Sequence, residues 1–268
     1  MSAKIKSEDS DGVRLLTITN PPRGYMDSIV CAELVEYFAA AVDDEEVKAI
    51  VFTGGVEGVF IRHYDVKEIL AMGHAVRNAG SESGPAPPRS ETPVYDLLDR
   101  MLACPKPLIA AINGTCMGGG CEFALGCDIR VASRGDYTIG LPEARLGIVP
   151  GLGGMQMLAR VVGITRAKEM ALRGRVIGPE ESHRIGLVDE LGDDAVATAM
   201  EIAKDLATLS PVALASIKQM AAQVASGETL EEGTLSAAEN FLLTLTANGE
   251  AMKRMQRFVD EGEDILAR

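Results

Sequence analysis

The sequence predicts a mixed α/β fold that ends in a helical C-terminal region. Three observations carry this expectation. Short β-rich runs alternate with segments whose apolar residues recur at helical spacing. A buried apolar run ending near Asn113 leads into the glycine turn Met117-Gly118-Gly119-Gly120-Cys121-Glu122. From about Ala195 onward only helical patterns remain.

Taken in order, Val13–Thr19 alternates as a strand does, Asn20-Pro21-Pro22-Arg23-Gly24 breaks it, and Ser28–Val42 has helical spacing. Ala49–Thr53 is a β-branched run closed by Gly54-Gly55. Val66–Met72 and Val94–Ala103 read as helices, and residues 73–93 between them, centred on Gly84-Pro85-Ala86-Pro87-Pro88, as a mobile surface loop. Pro107–Ile112 is the next buried strand, Cys121–Leu125 a short helix, and Ile129–Ala132 and Tyr137–Ile139 two further strands. The tail offers helices at Ala195–Leu209, Pro211–Ala225, Thr229–Leu243 and Gly249–Phe258. The domain boundary is therefore drawn between a core, 1–194, and a helical region, 195–268, suited to packing or oligomerisation. No repeat of fixed period is evident.

At 268 residues the chain can bury a sizeable core. Its net charge of −13 opposes nucleic acid and anionic membrane surfaces, and the lack of tryptophan opposes base stacking. The five cysteines form no C-x-x-C pair, so reduced, buried thiols in a cytoplasmic protein are expected. No apolar run reaches the roughly 18 residues of a membrane span. Gly151-Leu152-Gly153-Gly154-Met155-Gln156 begins like a dinucleotide fingerprint but lacks its third glycine, and neither a Gly-Lys dipeptide nor a Gly-x-Ser-x-Gly pattern occurs. The three histidines, His63, His74 and His183, have no metal-ligand spacing, so no metal is expected.

A glycine turn between a strand and a helix can converge backbone N–H groups on an oxyanion, and it can equally serve tight strand–helix packing. Glu122, in the first turn of that helix, suits proton transfer or simple capping. Glu143, held after Pro142 in Gly140-Leu141-Pro142-Glu143, is either a fixed functional carboxylate or an exposed loop residue.

Several motifs in order resemble the crotonase superfamily, whose best-known members are enoyl-CoA hydratases. They are Lys106 to Gly114 with Gly118-Gly119-Gly120-Cys121-Glu122, Cys127-Asp128-Ile129-Arg130, Gly140 to Glu143 with Leu146 to Gly154, and Gly186-Leu187-Val188-Asp189. The resemblance covers most of the chain. It implies a spiral of repeated ββα units and C-terminal helices that build trimers, often paired into hexamers. It also implies an acyl-CoA substrate of the kind met in fatty acid metabolism, with no cofactor beyond the CoA of that substrate. The family's oxyanion hole maps to the backbone N–H groups of Tyr64 and Gly119. Its water-activating base maps to Glu122, and the carboxylate exchanging the α-carbon proton to Glu143. The implied reaction is hydration of a 2-enoyl-CoA to a 3-hydroxyacyl-CoA. Isomerisation or hydrolysis of an unusual acyl-CoA is the alternative, and a non-catalytic or RNA-binding relative a remoter one.

The chain departs from the family pattern in places. A small-residue Ala-Gly-Ala-Asp run is replaced by Arg62-His63-Tyr64-Asp65, of which only Asp65 matches. Tyr64, Asp65, Val66 and Lys67 are nevertheless expected near the adenine and pantetheine of CoA, with Gly118 also at the substrate. Pro22 to Asp27 replaces the usual Asn-Ala-Leu, and the tail Asn248 to Phe258 departs from the usual closing pattern. There Lys253, Arg254, Arg257 and Phe258 are candidates for holding CoA, although the cations could equally form a solvated helix face with pairs such as Glu250 with Arg254.

Overall fold

The β-rich runs assemble into two sheets, seen in a computed structural model that describes residues 3–78, 92–247 and 249–262. The chain divides into two units, Met1–Leu206 and Ala207–Arg268.

In the first unit β1 (Ile5–Ser10) and β2 (Val13–Ile18) form an antiparallel hairpin. Asp11 and Gly12 at its tip both have positive φ, 51° and 77°, as a tight hairpin turn requires. The sequence expectation missed β1 because only Ile5 in Ile-Lys-Ser-Glu-Asp-Ser is buried, which leaves no alternating apolar signal. Beyond β2 the pairing is parallel through β3 (Ala49–Gly54), β5 (Leu108–Ile112), β7 (Ile129–Ser133) and β10 (Glu190–Gly192). Every residue of β3 and β5 is buried, as continuous apolar strands covered on both faces should be.

The second sheet has the order β4 (Val59–Ile61), β6 (Thr115–Met117), β8 (Ile139–Gly140), β9 (Val176–Ile177). Its first three strands are parallel and β9 is antiparallel to β8. None exceeds three residues, too short to leave a periodic signal.

Helix α1 (Ser28–Asp43) is capped by Asp27, whose carboxylate accepts from Val30 N–H, and buries Val30, Leu34, Phe38 and Ala41. Phe52 of β3 meets Phe123 edge-on at 5.0 Å. Burying such a ring stabilises the fold by about 1.5–3 kcal/mol.

Helix α2 (Val66–Asn78) runs six residues past the expected end at Met72, so 73–78 is not loop. Val66, Ile69, Leu70 and Val76 keep the helical spacing, and a single interior glycine costs only about 1 kcal/mol. The rest of the expected loop, 79–91, lies outside the described residues; α3 (Pro93–Ala103) follows. The remaining helices are α4 (Gly119–Leu125), α5 (Gly154–Val162), α6 (Ile164–Arg173), α7 (Pro179–Arg184) and α8 (Ala195–Ala207).

In the second unit, Ser210 caps α9 (Pro211–Ala225), and Thr229 with Glu232 forms a capping box on α10 (Leu230–Thr246). Helix α11 (Glu250–Asp260) follows. Leu230, Leu235, Phe241, Leu242 and Leu243 of α10 are all exposed in the single chain. Among the described residues no helix is long and apolar enough to cross a membrane.

Candidate active site

Strands β4, β6 and β8 lie side by side and run the same way, so the segments that follow them emerge at one edge of the small sheet. Tyr64 follows β4, the three glycines follow β6, and Glu143 follows β8 on a short 3-10 turn, Glu143–Leu146. The carboxyl edge of parallel strands is where α/β folds generally bind ligands.

Each glycine answers a different demand. Gly118 has φ 52° and ψ −127°, a conformation closed to side-chain-bearing residues. A Cβ there would stand 3.2 Å from Glu143 Oε1 and 3.5 Å from His63 Cβ. A Cβ on Gly119 would stand 3.3 Å from Tyr64 N, so the two expected oxyanion donors are neighbours. A Cβ on Gly120 would come within 2.1 Å of Ile61 O, so this glycine serves tight helix–strand packing. The packing reading of the triple glycine therefore holds at Gly120, while Gly119 lies beside the Tyr64 backbone N.

Met26 N–H donates to His63 O at 3.0 Å, and Asp65 N–H donates to Met26 O at 2.7 Å. In such a parallel bridge the intervening Tyr64 N–H faces away from Met26. Gly119 N–H opens α4 and is one of the donors a helix start cannot satisfy internally. Neither N–H has an acceptor among the described residues.

The two glutamates are both buried, 3% exposed for Glu122 and 8% for Glu143, yet differently supplied. Glu122 Oε1 accepts from Leu152 N–H at 2.7 Å and Gly154 N–H at 2.8 Å. A Cβ on Gly154 would stand 2.7 Å from that oxygen, so glycine is needed for the α5 backbone to reach the carboxylate. Burial raises the Glu122 pKa, and those two N–H groups pull it back. Glu143 Oε2 is buried with no hydrogen-bond partner among the described residues. Burial pushes the Glu143 pKa up to about 7; its own backbone N–H opposes this, and the Glu122 charge adds to it. The expectation of Glu143 as an exposed loop carboxylate is thereby excluded. Sequence reasoning gave Leu152 and Gly154 no role of their own, although the Leu146 to Gly154 run that carries them is among the motifs of the resemblance.

The family model for enoyl-CoA hydratase/isomerase matches residues 8–264. The chain belongs to the enoyl-CoA hydratase/isomerase family. It is 33% identical over 253 residues to the mitochondrial methylglutaconyl-CoA hydratase of Mus musculus, covering 86% of this chain and 77% of that one. It is 36% identical over 200 residues to the peroxisomal fatty acid beta-oxidation multifunctional protein AIM1 of Arabidopsis thaliana, covering 74% of this chain but only 26% of that longer protein. Among solved structures, an enoyl-CoA hydratase from Bacillus anthracis superimposes with a TM-score of 0.85 at 26% identity, covering 97% of each chain. The mixed α/β architecture is thus the crotonase fold expected from the motifs. The mitochondrial and peroxisomal relatives lend the cytoplasmic expectation no support.

Within this family member, the other expected substrate residues fall in several places. Asp65 caps α2, its carbonyl accepting from Glu68 and Ile69 N–H and its carboxylate from Lys67 N–H at 2.8 Å. Val66 and Lys67 are exposed on the first turn of α2. Tyr64 directs its hydroxyl to Glu68 Oε2 at 2.8 Å, and His63 places Nδ1 2.7 Å from Tyr64 O and its ring 4.6 Å from that of Tyr25. Lys253, Arg254 and Arg257 are exposed on α11 in the second unit and Phe258 is half-buried. Arg254 bonds Glu250 at 2.6 Å and Thr208 O at 2.8 Å, which is the solvated pairing considered from sequence. A small apolar cavity beside Glu122 is lined by Met26, Val94, Leu97, Met101, Phe123 and Leu152.

Proposed function

We propose that this protein hydrates a conjugated 2-enoyl-CoA thioester to a 3-hydroxyacyl-CoA. The observation that carries the reading is the pair of buried carboxylates, one wired to two N–H groups and one with a free buried oxygen, at the edge where two unbonded N–H groups adjoin.

Glu122, ionised, removes a proton from water as the water oxygen bonds to C3 of the enoyl group. The C2–C3 π electrons move to form the enolate, whose charge collects on the thioester oxygen. Tyr64 N–H and Gly119 N–H donate to that oxygen. Removing one such donor typically costs about 3 kcal/mol of transition-state stabilisation. Glu143, half-protonated near neutrality, gives its proton to C2 and re-forms the carbonyl; the proton that Glu122 took from water then returns to Glu143, so the net change is one water added across the double bond. The protein supplies no cofactor, since CoA arrives with the substrate.

The apolar lining beside Glu122 favours a hydrocarbon acyl end over a charged one, because that lining offers a second carboxylate no cation. Purified protein should bleach the conjugated absorbance of crotonyl-CoA faster than that of methylglutaconyl-CoA and yield 3-hydroxybutyryl-CoA. Inactivity across straight and branched enoyl-CoAs sinks the reading. Isomerisation is the second reading, favoured by the buried, unpartnered Oε2 of Glu143; a shifted double bond in place of a hydroxyl would select it. The exposed leucines and Phe241 of α10 support assembly into trimers or paired trimers, which a molar mass in solution equal to one chain would refute.

A further inference from the structure

We infer that Glu68, through the Tyr64 hydroxyl, is a positioning residue for the oxyanion N–H of Tyr64. The inference rests on the reading of the Tyr64 N–H given above.

Three donors converge on the Glu68 carboxylate. Tyr64 Oη donates to Oε2 at 2.8 Å, Ser28 N–H to Oε2 at 3.0 Å, and Ser28 Oγ to Oε1 at 2.8 Å. Ser28 is the first residue of α1, so Glu68 also lies at the positive end of a sixteen-residue helix dipole. Helix α1 is fixed in the core through Val30, Leu34 and Phe38, whereas α2, which carries Glu68, buries none of its side chains. The carboxylate therefore joins a loosely packed helix to a firmly packed one, with the Tyr64 ring tied in between.

Beyond β4, the backbone at Tyr64 is held on one side by the bridge to Met26. On the other side its Cβ lies 3.1 Å from where a Cβ on Gly119 would stand, so no side chain there can brace it. The remaining handles are His63 Nδ1, 2.7 Å from Tyr64 O, and the ring, which Glu68 ties to the start of α1. A half-buried phenol anchored by a charged acceptor fixes the side chain and hence the peptide plane whose N–H must meet the thioester oxygen. A bulky residue at this position then serves the site instead of obstructing it. Positioning is worth much in catalysis: a 1 Å misplacement of a donor can cost about 10²-fold.

The test uses full-length Tyr64→Phe, Glu68→Ala and Glu68→Gln with the double variant Tyr64→Phe/Glu68→Ala. Two readouts are taken: hydration kinetics with crotonyl-CoA, and the infrared carbonyl stretch of bound, non-reacting butyryl-CoA. Tyr64→Phe and Glu68→Ala should each lower kcat about tenfold with KM changed less than threefold. Each should move the bound carbonyl stretch toward its value in water. The double variant should be no worse than Glu68→Ala, because both changes break one link. Glu68→Gln, which keeps an acceptor, should recover most of the loss. Single variants within twofold of wild type, losses that multiply, or an unmoved stretch overturn the inference. If wild type binds butyryl-CoA with a lowered stretch but hydrates nothing, hydration fails while the infrared series still decides the role of Glu68. If butyryl-CoA does not bind, both fall.

Discussion

The surroundings of Glu122 and Glu143 differ more than the shared residue type suggests. Glu122 sits in the first turn of α4 with one oxygen locked by the Leu152 and Gly154 N–H groups. Glu143 sits on a 3-10 turn after β8 with Oε2 buried and unpartnered among the described residues. Two donors lower the cost of charge at Glu122, while nothing comparable does so for the free oxygen of Glu143. Burial raises the pKa of both, and the fold opposes that rise more fully at Glu122 than at the free oxygen of Glu143. That division is what water addition needs: a base for the oxygen and an acid for the carbon.

Replacing either carboxylate by its amide should have the largest effect. Glu122→Gln and Glu143→Gln should each lower kcat by about 10²- to 10⁴-fold, the usual range for an acid or base. The Glu122→Gln amide oxygen can still accept from Leu152 and Gly154, so its fold should persist. Circular dichroism unchanged with kcat within tenfold of wild type would break the division of roles.

Next in size is the pH dependence of stability. The folded-state pKa of Glu143, about 7, lies above the ordinary 4.5, so the native state binds more protons than the unfolded state between those values. Stability is fully present below about 4.5, falls as pH rises, and levels off above about 7. At about 1.4 kcal/mol per unit this amounts to about 3 kcal/mol, which Glu143→Gln should abolish. Urea unfolding of both proteins at several pH values measures it; equal slopes would place Glu143 in water.

Much of this contrast was legible in the sequence, and the reasons for the gaps are physical. Gly118-Gly119-Gly120-Cys121-Glu122 and Leu141-Pro142-Glu143 are local motifs, so both carboxylates and the Gly119 donor could be named. Strands β4 and β6, which bring Tyr64 beside Gly119, are three residues each and carry no period. The N–H groups that wire Glu122 belong to backbone thirty residues away in sequence, and backbone donors have no residue signature. Tyr64 read as a defect in the family pattern because its hydroxyl partner, Glu68, is visible only once α2 is formed.

Gly154→Ala tests the Glu122 side by steric means. The added Cβ would lie 2.7 Å from both Cγ and Oε1 of Glu122, so the carboxylate must move. A loss in kcat on the order of tenfold is expected, with KM little changed and a stability cost of about 1 kcal/mol, at the low end for overpacking. Glu143 is untouched, so the stability slope between pH 4.5 and about 7 should remain. A variant that loses the slope as well would mean that the two carboxylates form one coupled unit.

Leu152→Ala should produce the smallest change and is for that reason the sharpest control. The substitution removes the side chain that lines the apolar cavity but leaves the N–H that donates to Glu122 Oε1. If Glu122 is held by the backbone, kcat with crotonyl-CoA should stay within about threefold. The enlarged cavity should favour longer chains, since each added methylene it buries is worth about 0.8 kcal/mol, or about fourfold in binding. Hexenoyl-CoA should therefore gain relative to crotonyl-CoA in kcat/KM. A tenfold fall in kcat with no change in chain preference would show the opposite: the leucine side chain, by packing, holds the segment that wires Glu122, and the two N–H bonds follow from that packing.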